Sequence, residues 1–214
     1  MTADKISFTS RINFVDAKTF DKFRRGAYVE FQKDLNFMCA QNSTSPWFAK
    51  LVRPDIVKAD EFFTDEVRTC TAGGVIDTKT GQCAGFHLFD CLSNFRGANK
   101  IIDNIFSLVP NPDRALILGS KDLVYAEFST RLFEQILKGL KSKIKDITVF
   151  KKHVFSSSES DLHYSLKDDT WTIHSMFHCP LESFHDQEVI NPEALKKCFK
   201  EVKIADGDSL NFLS

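Results

Sequence analysis

The sequence predicts an α+β layered domain, a mixed β-sheet core flanked by helices, with an amino-terminal strand-helix appendage. Three observations predict it. Apolar residues alternate in some segments and recur every three or four residues in others. These segments follow one another as strands, helix, strand, helix, strands. A hydrophobic content of 43% with 21 Phe supplies enough apolar surface to offset the entropy of ordering the chain. With 214 residues, one well-buried core plus an appendage is the expected organisation. The boundaries read are 1–50 for the appendage, 51–180 for the main domain and 181–214 for a carboxy-terminal helical extension.

From Lys5 to Phe14 the alternation predicts a strand that turns Ile6, Phe8, Ile12 and Phe14 toward a core. Asp16 then offers a helix cap. Phe20, Phe23, Ala27, Phe31 and Leu35 form one stripe at helical spacing, and the polar run from Gln41 to Pro46 ends that helix. Beyond it, the segments around Ile56 and Val75 read as strands. The turn Asp77 to Gln82 returns the chain into Cys83 to Asp90 as a hairpin. Ile101, Ile105 and Leu108 mark a helix over 98–109, stopped by Pro110. Arg114 to Gly119 is a short apolar strand. Ser129 is the expected cap of a second helix with Leu132, Phe133, Ile136, Leu137 and Leu140 on its buried face. Two further stretches, 145–155 and 162–177, supply strands, with a turn at Lys167-Asp168-Asp169. A last helix is expected near Pro192 to Val202.

Charge and cysteine usage narrow the function classes. With 28 basic and 29 acidic side chains and a pI near 6.6, no global field draws the chain to nucleic acid or to an anionic membrane. No run of about 18 apolar residues predicts a membrane span. The opening MTADKISFTSRINF has no secretory signal pattern. The six cysteines are scattered rather than dense, which fits a reducing, cytoplasmic setting. The triplet Asn42-Ser43-Thr44 matches a glycosylation pattern, but without a signal peptide it is set aside.

One arrangement carries chemistry: Thr64, then Cys70, then His87, with Cys70 and His87 on the two strands of the predicted hairpin. A cysteine hydrolase needs a thiolate, and an unperturbed thiol with a pKa of about 8.5 is mostly protonated at neutral pH. A neighbouring imidazole must take that proton, and His87 is placed to do so. A third polar group fixes the ring by bonding its other nitrogen, and Thr64 is the candidate. The small residues Thr71 to Gly74 are expected to let backbone amides approach a developing oxyanion. No metal or other cofactor is expected. His174, His178 and Cys179 have ligand-like spacing, but the segment reads as a strand, where i and i+4 do not converge. The remaining cysteines, Cys39, Cys83, Cys91, Cys179 and Cys198, read as buried small hydrophobes. The basic clusters at Lys138 to Lys145 and Lys151 to His153 read as solvated element ends.

At these residues the stretch FFTDEVRTCTAGGVIDTKTGQCAGFHLFD resembles the CheD family of protein-glutamine deamidases. That family has a Thr a few residues before a Cys in a small-residue turn, then a strand, an Asp-containing turn, a Gly and a His. The similarity runs through both helices, the strand RALILG and the terminal hairpin, over roughly residues 55–175. It implies a deamidase that converts a protein glutamine to glutamate through a thioester, with Cys70 as nucleophile, His87 as base then acid, and Thr64 orienting it. The cytotoxic necrotising factor catalytic domain is similar in mechanism. The family's Leu-Gly-Ser-Cys turn stands here as Val67-Arg68-Thr69-Cys70, its later double glycine as Gly119-Ser120, and its Gly-Gly-containing carboxy-terminal segment as SSSESDLHYSL. With the added first 50 residues, these departures point to a substrate other than a chemoreceptor. A bacterial effector delivered into a host cell by a non-Sec route, acting on a host protein, is the reading that follows. The alternative is a catalytically inactive CheD-like protein-binding module. A protease is disfavoured because nothing resembles the cysteine signature of papain-like enzymes.

Overall fold

In a computed structural model of the chain, residues 10–23, 44–50, 55–67, 70–88, 95–119, 126–152, 157–178, 187–188 and 199–203 are described. The order of elements is β1 Arg11–Phe14, helix α1 over residues 17–23, β2 Thr44–Lys50, β3 Asp55–Val67, β4 Thr71–Asp77, β5 Gln82–Leu88 and α2 Phe95–Leu108. It continues with β6 Arg114–Gly119, α3 Ala126–Lys141, β7 Asp146–Lys152, β8 Ser157–Ser165, β9 Thr170–His178, β10 Gln187–Glu188 and β11 Phe199–Lys203. The strands form one mixed sheet in the order β1-β9-β8-β3-β5-β4-β6-β7-β11, with β2 beside β3 and β10 beside β9. The α+β layered class read from the sequence is the class observed.

The sheet folds over on itself, and β3 makes the fold. Its first residues, Asp55–Lys58, pair with β5, whereas Glu61–Val67 pair with β8. The register against β2 slips between Ala59 and Glu61, and the Asp60 carbonyl between them accepts a bond from Leu166 N at 2.9 Å. An irregularity of this kind lets a strand change direction. The half-sheet β1-β9-β8 therefore lies across β5-β4-β6-β7. Contacts between the two extremes prove the closure. Phe14 of β1 meets Phe150 of β7 edge to face at 5.9 Å, and Arg114 of β6 reaches Asp169 in the β8–β9 turn.

Three cores follow. Between the two half-sheets lie Ala72, Leu118, Phe150, Leu162, Tyr164, Trp171 and Ile173, with Ile12 and Phe14 packed against them. On the outer face of β4, β5 and β6, α2 and α3 bury Ile102, Ile105, Phe106, Leu132, Ile136 and Leu140 against Val75, Phe86 and Ile117. The α3 face is the one expected. That of α2 is rotated by one residue: Ile101 and Leu108 are only partly buried, because Ile102 and Val109 point more directly at the sheet. On the outer face of β8 and β9, α1 sets Phe20 against Phe63, with Val15 and Phe23 alongside.

Local chemistry explains the connections. Asp16 caps α1, its carboxylate accepting Thr19 N at 2.8 Å, and that bonding with Thr19 holds its carboxyl below the usual range. In the β4–β5 turn the Asp77 carboxylate accepts Lys79 N and Thr80 N at 3.0 and 3.1 Å, and Gly81 takes a φ of 62° that side chains disfavour.

Several expectations are corrected. Residues 11–14 are a strand of the main sheet, parallel to β9, and Thr44–Lys50 pairs with β3. The edge of β9 offers backbone groups that this extended segment satisfies, so the first strand packs onto the domain by joining its sheet. Ser129 does not cap α3, which starts at Ala126; Ala and Glu at its first positions carry the helix back beyond Ser129. The expected helix near Pro192 to Val202 gives way, in its last part, to β11, which pairs antiparallel with β7. An open sheet edge again outweighs a local helical spacing. Ile6, Phe8, Ala27, Phe31, Leu35 and the first residues of that carboxy-terminal stretch lie outside the described residues.

Candidate active site

The β4–β5 hairpin forms with the register the sequence implied: Ala72 stands opposite His87 and Thr71 opposite Leu88. Side chains alternate across a strand, so Cys83, Gly85 and His87 face the interior between the half-sheets while Ala84, Phe86 and Leu88 face the helices. Cys70, directly before β4, belongs to the same interior cluster as Ala72. His87 and Cys70 therefore share the inner face at one end of the fold.

Thr64 arrives from the other layer. In β3 it lies opposite Leu162 of β8, on the inner face with Phe62. Because β3 folds over, its hydroxyl meets the imidazole: Thr64 Oγ1 and His87 Nδ1 share a hydrogen bond of 2.5 Å. Between Thr64 and Val67 the β3–β8 register slips again, which realigns the strand just before the chain reaches Cys70. All three side chains are enclosed, Thr64 at 0%, Cys70 at 1% and His87 at 1% exposure.

The glycines before the turn work differently from the expectation. β4 is paired on both sides over Thr71–Ile76, so the amides of Ala72 to Gly74 belong to the sheet ladders rather than to an oxyanion. Gly74 serves packing instead: a Cβ there would lie 2.7 Å from the Phe62 ring and 2.9 Å from Trp171. Its absence lets the facing layer settle onto β4 and keeps Thr64 within reach of His87.

Cys70 and Cys83, the two described cysteines, are both reduced thiols buried in the inner cluster. Cys83 is buried against its own strand neighbours, and its thiol donates to the Ala59 carbonyl at 2.7 Å. Burial, with the charge of Asp60, pushes that thiol up to about 12. It stays protonated and inert, as a buried small hydrophobe should. Cys39, Cys91, Cys179 and Cys198 lie outside the described residues.

The sequence did not point to three further polar pairs. On the outer face of β8 and β9, under α1, His163 Nε2 bonds Glu61 at 2.8 Å and His174 Nδ1 bonds Asp161 at 2.9 Å. Phe23 stacks on His163 at 3.9 Å. His174, whose spacing to His178 and Cys179 is ligand-like, sits on a strand with Asp161 as its partner. Among the described residues no group of three or more His, Cys, Asp or Glu converges as a metal site would. On the inner face, Ser160 and Ser175 bond each other at 2.6 Å. Neither serine stands in a motif, so only the β8–β9 register exposes the pair.

Among the described residues no helix is long and apolar enough to cross a membrane. No protein-family model matches this chain, and no curated protein is significantly similar to it in sequence.

Proposed function

We propose that the chain is a cysteine-dependent protein-glutamine deamidase, as its resemblance to the CheD family implies. The observation that carries this is the buried 2.5 Å bond between Thr64 Oγ1 and His87 Nδ1, on the face shared with Cys70. If Nδ1–H is donated to Thr64, Nε2 holds a lone pair and can take the Cys70 proton. The thiolate then adds to the side-chain carbonyl carbon of a substrate glutamine, forming a C–S bond and an oxyanion. The imidazolium returns its proton to the departing nitrogen, ammonia leaves, and a thioester remains. Water, deprotonated by His87, adds to the thioester, the thiolate departs, and the product is glutamate. The partner is a protein that presents an exposed glutamine. The departures around Cys70 favour one other than a chemoreceptor, and a host protein met by a delivered effector belongs to the same proposal.

A second reading, a binding module without activity, is favoured by the near-complete enclosure of Thr64, Cys70 and His87. One experiment separates the two. The purified chain is incubated with a whole-cell protein extract, and glutamine-to-glutamate conversion is mapped by mass spectrometry. Sites converted by the wild type and spared by Cys70→Ala and His87→Ala are expected. Equal conversion with wild type and Cys70→Ala would leave the binding module standing.

A further inference from the structure

The Ser160–Ser175 pair is the inner-face feature that packing alone explains least. The two residues are directly opposite in the β8–β9 ladder, both are 0% exposed, and their hydroxyls bond each other at 2.6 Å. Along β8 the inner face reads Tyr164, Leu162, Ser160, and along β9 it reads Trp171, Ile173, Ser175. A strand core that turns from aromatic and aliphatic to paired hydroxyl does so at a cost, because a buried hydroxyl gives up water.

The place where the change occurs is informative. Leu162 lies opposite Thr64 and Ser160 opposite Val67, three residues before Cys70. The serine pair is thus one strand repeat, about 6.6 Å, beyond the Leu162 row, toward the end where Cys70, Thr64 and His87 gather. Two hydroxyls own two O–H donors and four lone pairs. Their mutual bond uses one donor and one lone pair. One donor and three acceptor positions remain, and among the described residues no other partner takes them.

That remainder fits a primary carboxamide, whose oxygen needs a donor and whose NH2 needs acceptors. It fits a carboxylate poorly, since a carboxylate only accepts. We propose that Ser160 and Ser175 are positioning residues that hold the carboxamide of the substrate glutamine for attack and release the glutamate product. This inference rests on the deamidase reading.

The test compares two thiol reagents on the full chain. Iodoacetamide carries a primary carboxamide one bond from the carbon attacked; methyl methanethiosulfonate carries none. Rates at Cys70 are followed by mass spectrometry in wild type, in Ser160→Ala/Ser175→Ala and in Ser160→Thr, with Cys83 as the buried reference. Replacing both partners together removes a bond without stranding either group, so the double variant keeps its melting temperature to within a few degrees.

The expected result is a several-fold loss of iodoacetamide rate in the double variant, an unchanged methanethiosulfonate rate, and partial recovery in Ser160→Thr. Equal changes with both reagents, or none with either, overturn the inference while leaving an activated Cys70 in place. A wild-type Cys70 that reacts with neither reagent faster than Cys83 overturns the deamidase reading, and the inference falls with it.

Discussion

The two ends of the space between the half-sheets are both polar, and they are built on opposite principles. At one end, Arg114 Nη1 donates to Asp169 Oδ2 at 2.7 Å and to Ser10 at 3.0 Å. Ser10 and Tyr164 donate to Asp169 Oδ1 at 2.7 and 3.1 Å. Burial raises the Asp169 carboxyl, but the bonds from Ser10 and Arg114 outweigh it and hold the group below the usual range. Burial also holds the Tyr164 phenol protonated. Charge meets charge, and the network ties β6 to the β8–β9 turn. At the other end stand Thr64, His87, Cys70, Ser160 and Ser175, none of them a carboxylate, arginine or lysine. A paired ion network fixes geometry. A cluster that holds an imidazole and a thiol has the groups to move a proton.

Substitutions can break that contrast, and the largest effect is expected where the ends meet. In Gly74→Ala the new methyl strikes Phe62 and Trp171, which should cost about 2–3 kcal/mol. Denaturant unfolding would register it, and both ends should loosen together. A stability near wild type would mean that the layers do not rest on Gly74.

Next comes His87→Ala. At pH 6, alkylation of Cys70 should fall about tenfold, the thiolate gain being partly offset by the lower nucleophilicity of a low-pKa thiol. The same assay on Arg114→Met should show no change, since that side chain belongs to the opposite end.

Arg114→Met should instead lower stability by about 1 kcal/mol, a value discounted because Asp169 is 38% exposed. Its pH dependence sharpens the point. A carboxyl whose folded pKa is depressed adds stability above its unfolded value of about 3.9, and that stability is lost as pH falls through the folded value. The wild-type melting temperature should therefore drop more steeply in acid than that of Arg114→Met. Parallel acid limbs would remove Asp169 from the account. The smallest effect is expected from Cys83→Ala, roughly 1 kcal/mol or less in stability, with Cys70 reactivity untouched.

Much of this was legible in the sequence, and the reasons differ by element. The β4–β5 hairpin announces itself through the Asp77 to Gln82 turn, and its pairing puts Cys70 and His87 on one face by the period of two alone. The β6-α3-β7 unit is as plain, because Leu132, Phe133, Ile136 and Leu140 repeat at helical spacing. What could not be read depends on distant partners. The bend in β3 that carries Thr64 across to His87 has no marker at Asp60. β11 exists because the edge of β7 is open, not because Phe199 to Lys203 prefers extension. The serines at 160 and 175 become a pair only through register, and Gly74 reveals its purpose only when Phe62 and Trp171 lie over it.

If His87, oriented by Thr64, activates Cys70, the thiol itself should report it. The decisive experiment titrates the Cys70 thiol through its Cβ chemical shift in protein labelled at cysteine, in wild type, His87→Gln and Thr64→Val. A thiolate should form well below the ordinary thiol range of about 8.5 and return toward or above it in both variants. A wild-type Cys70 that stays protonated through neutral pH, as Cys83 does, would contradict it.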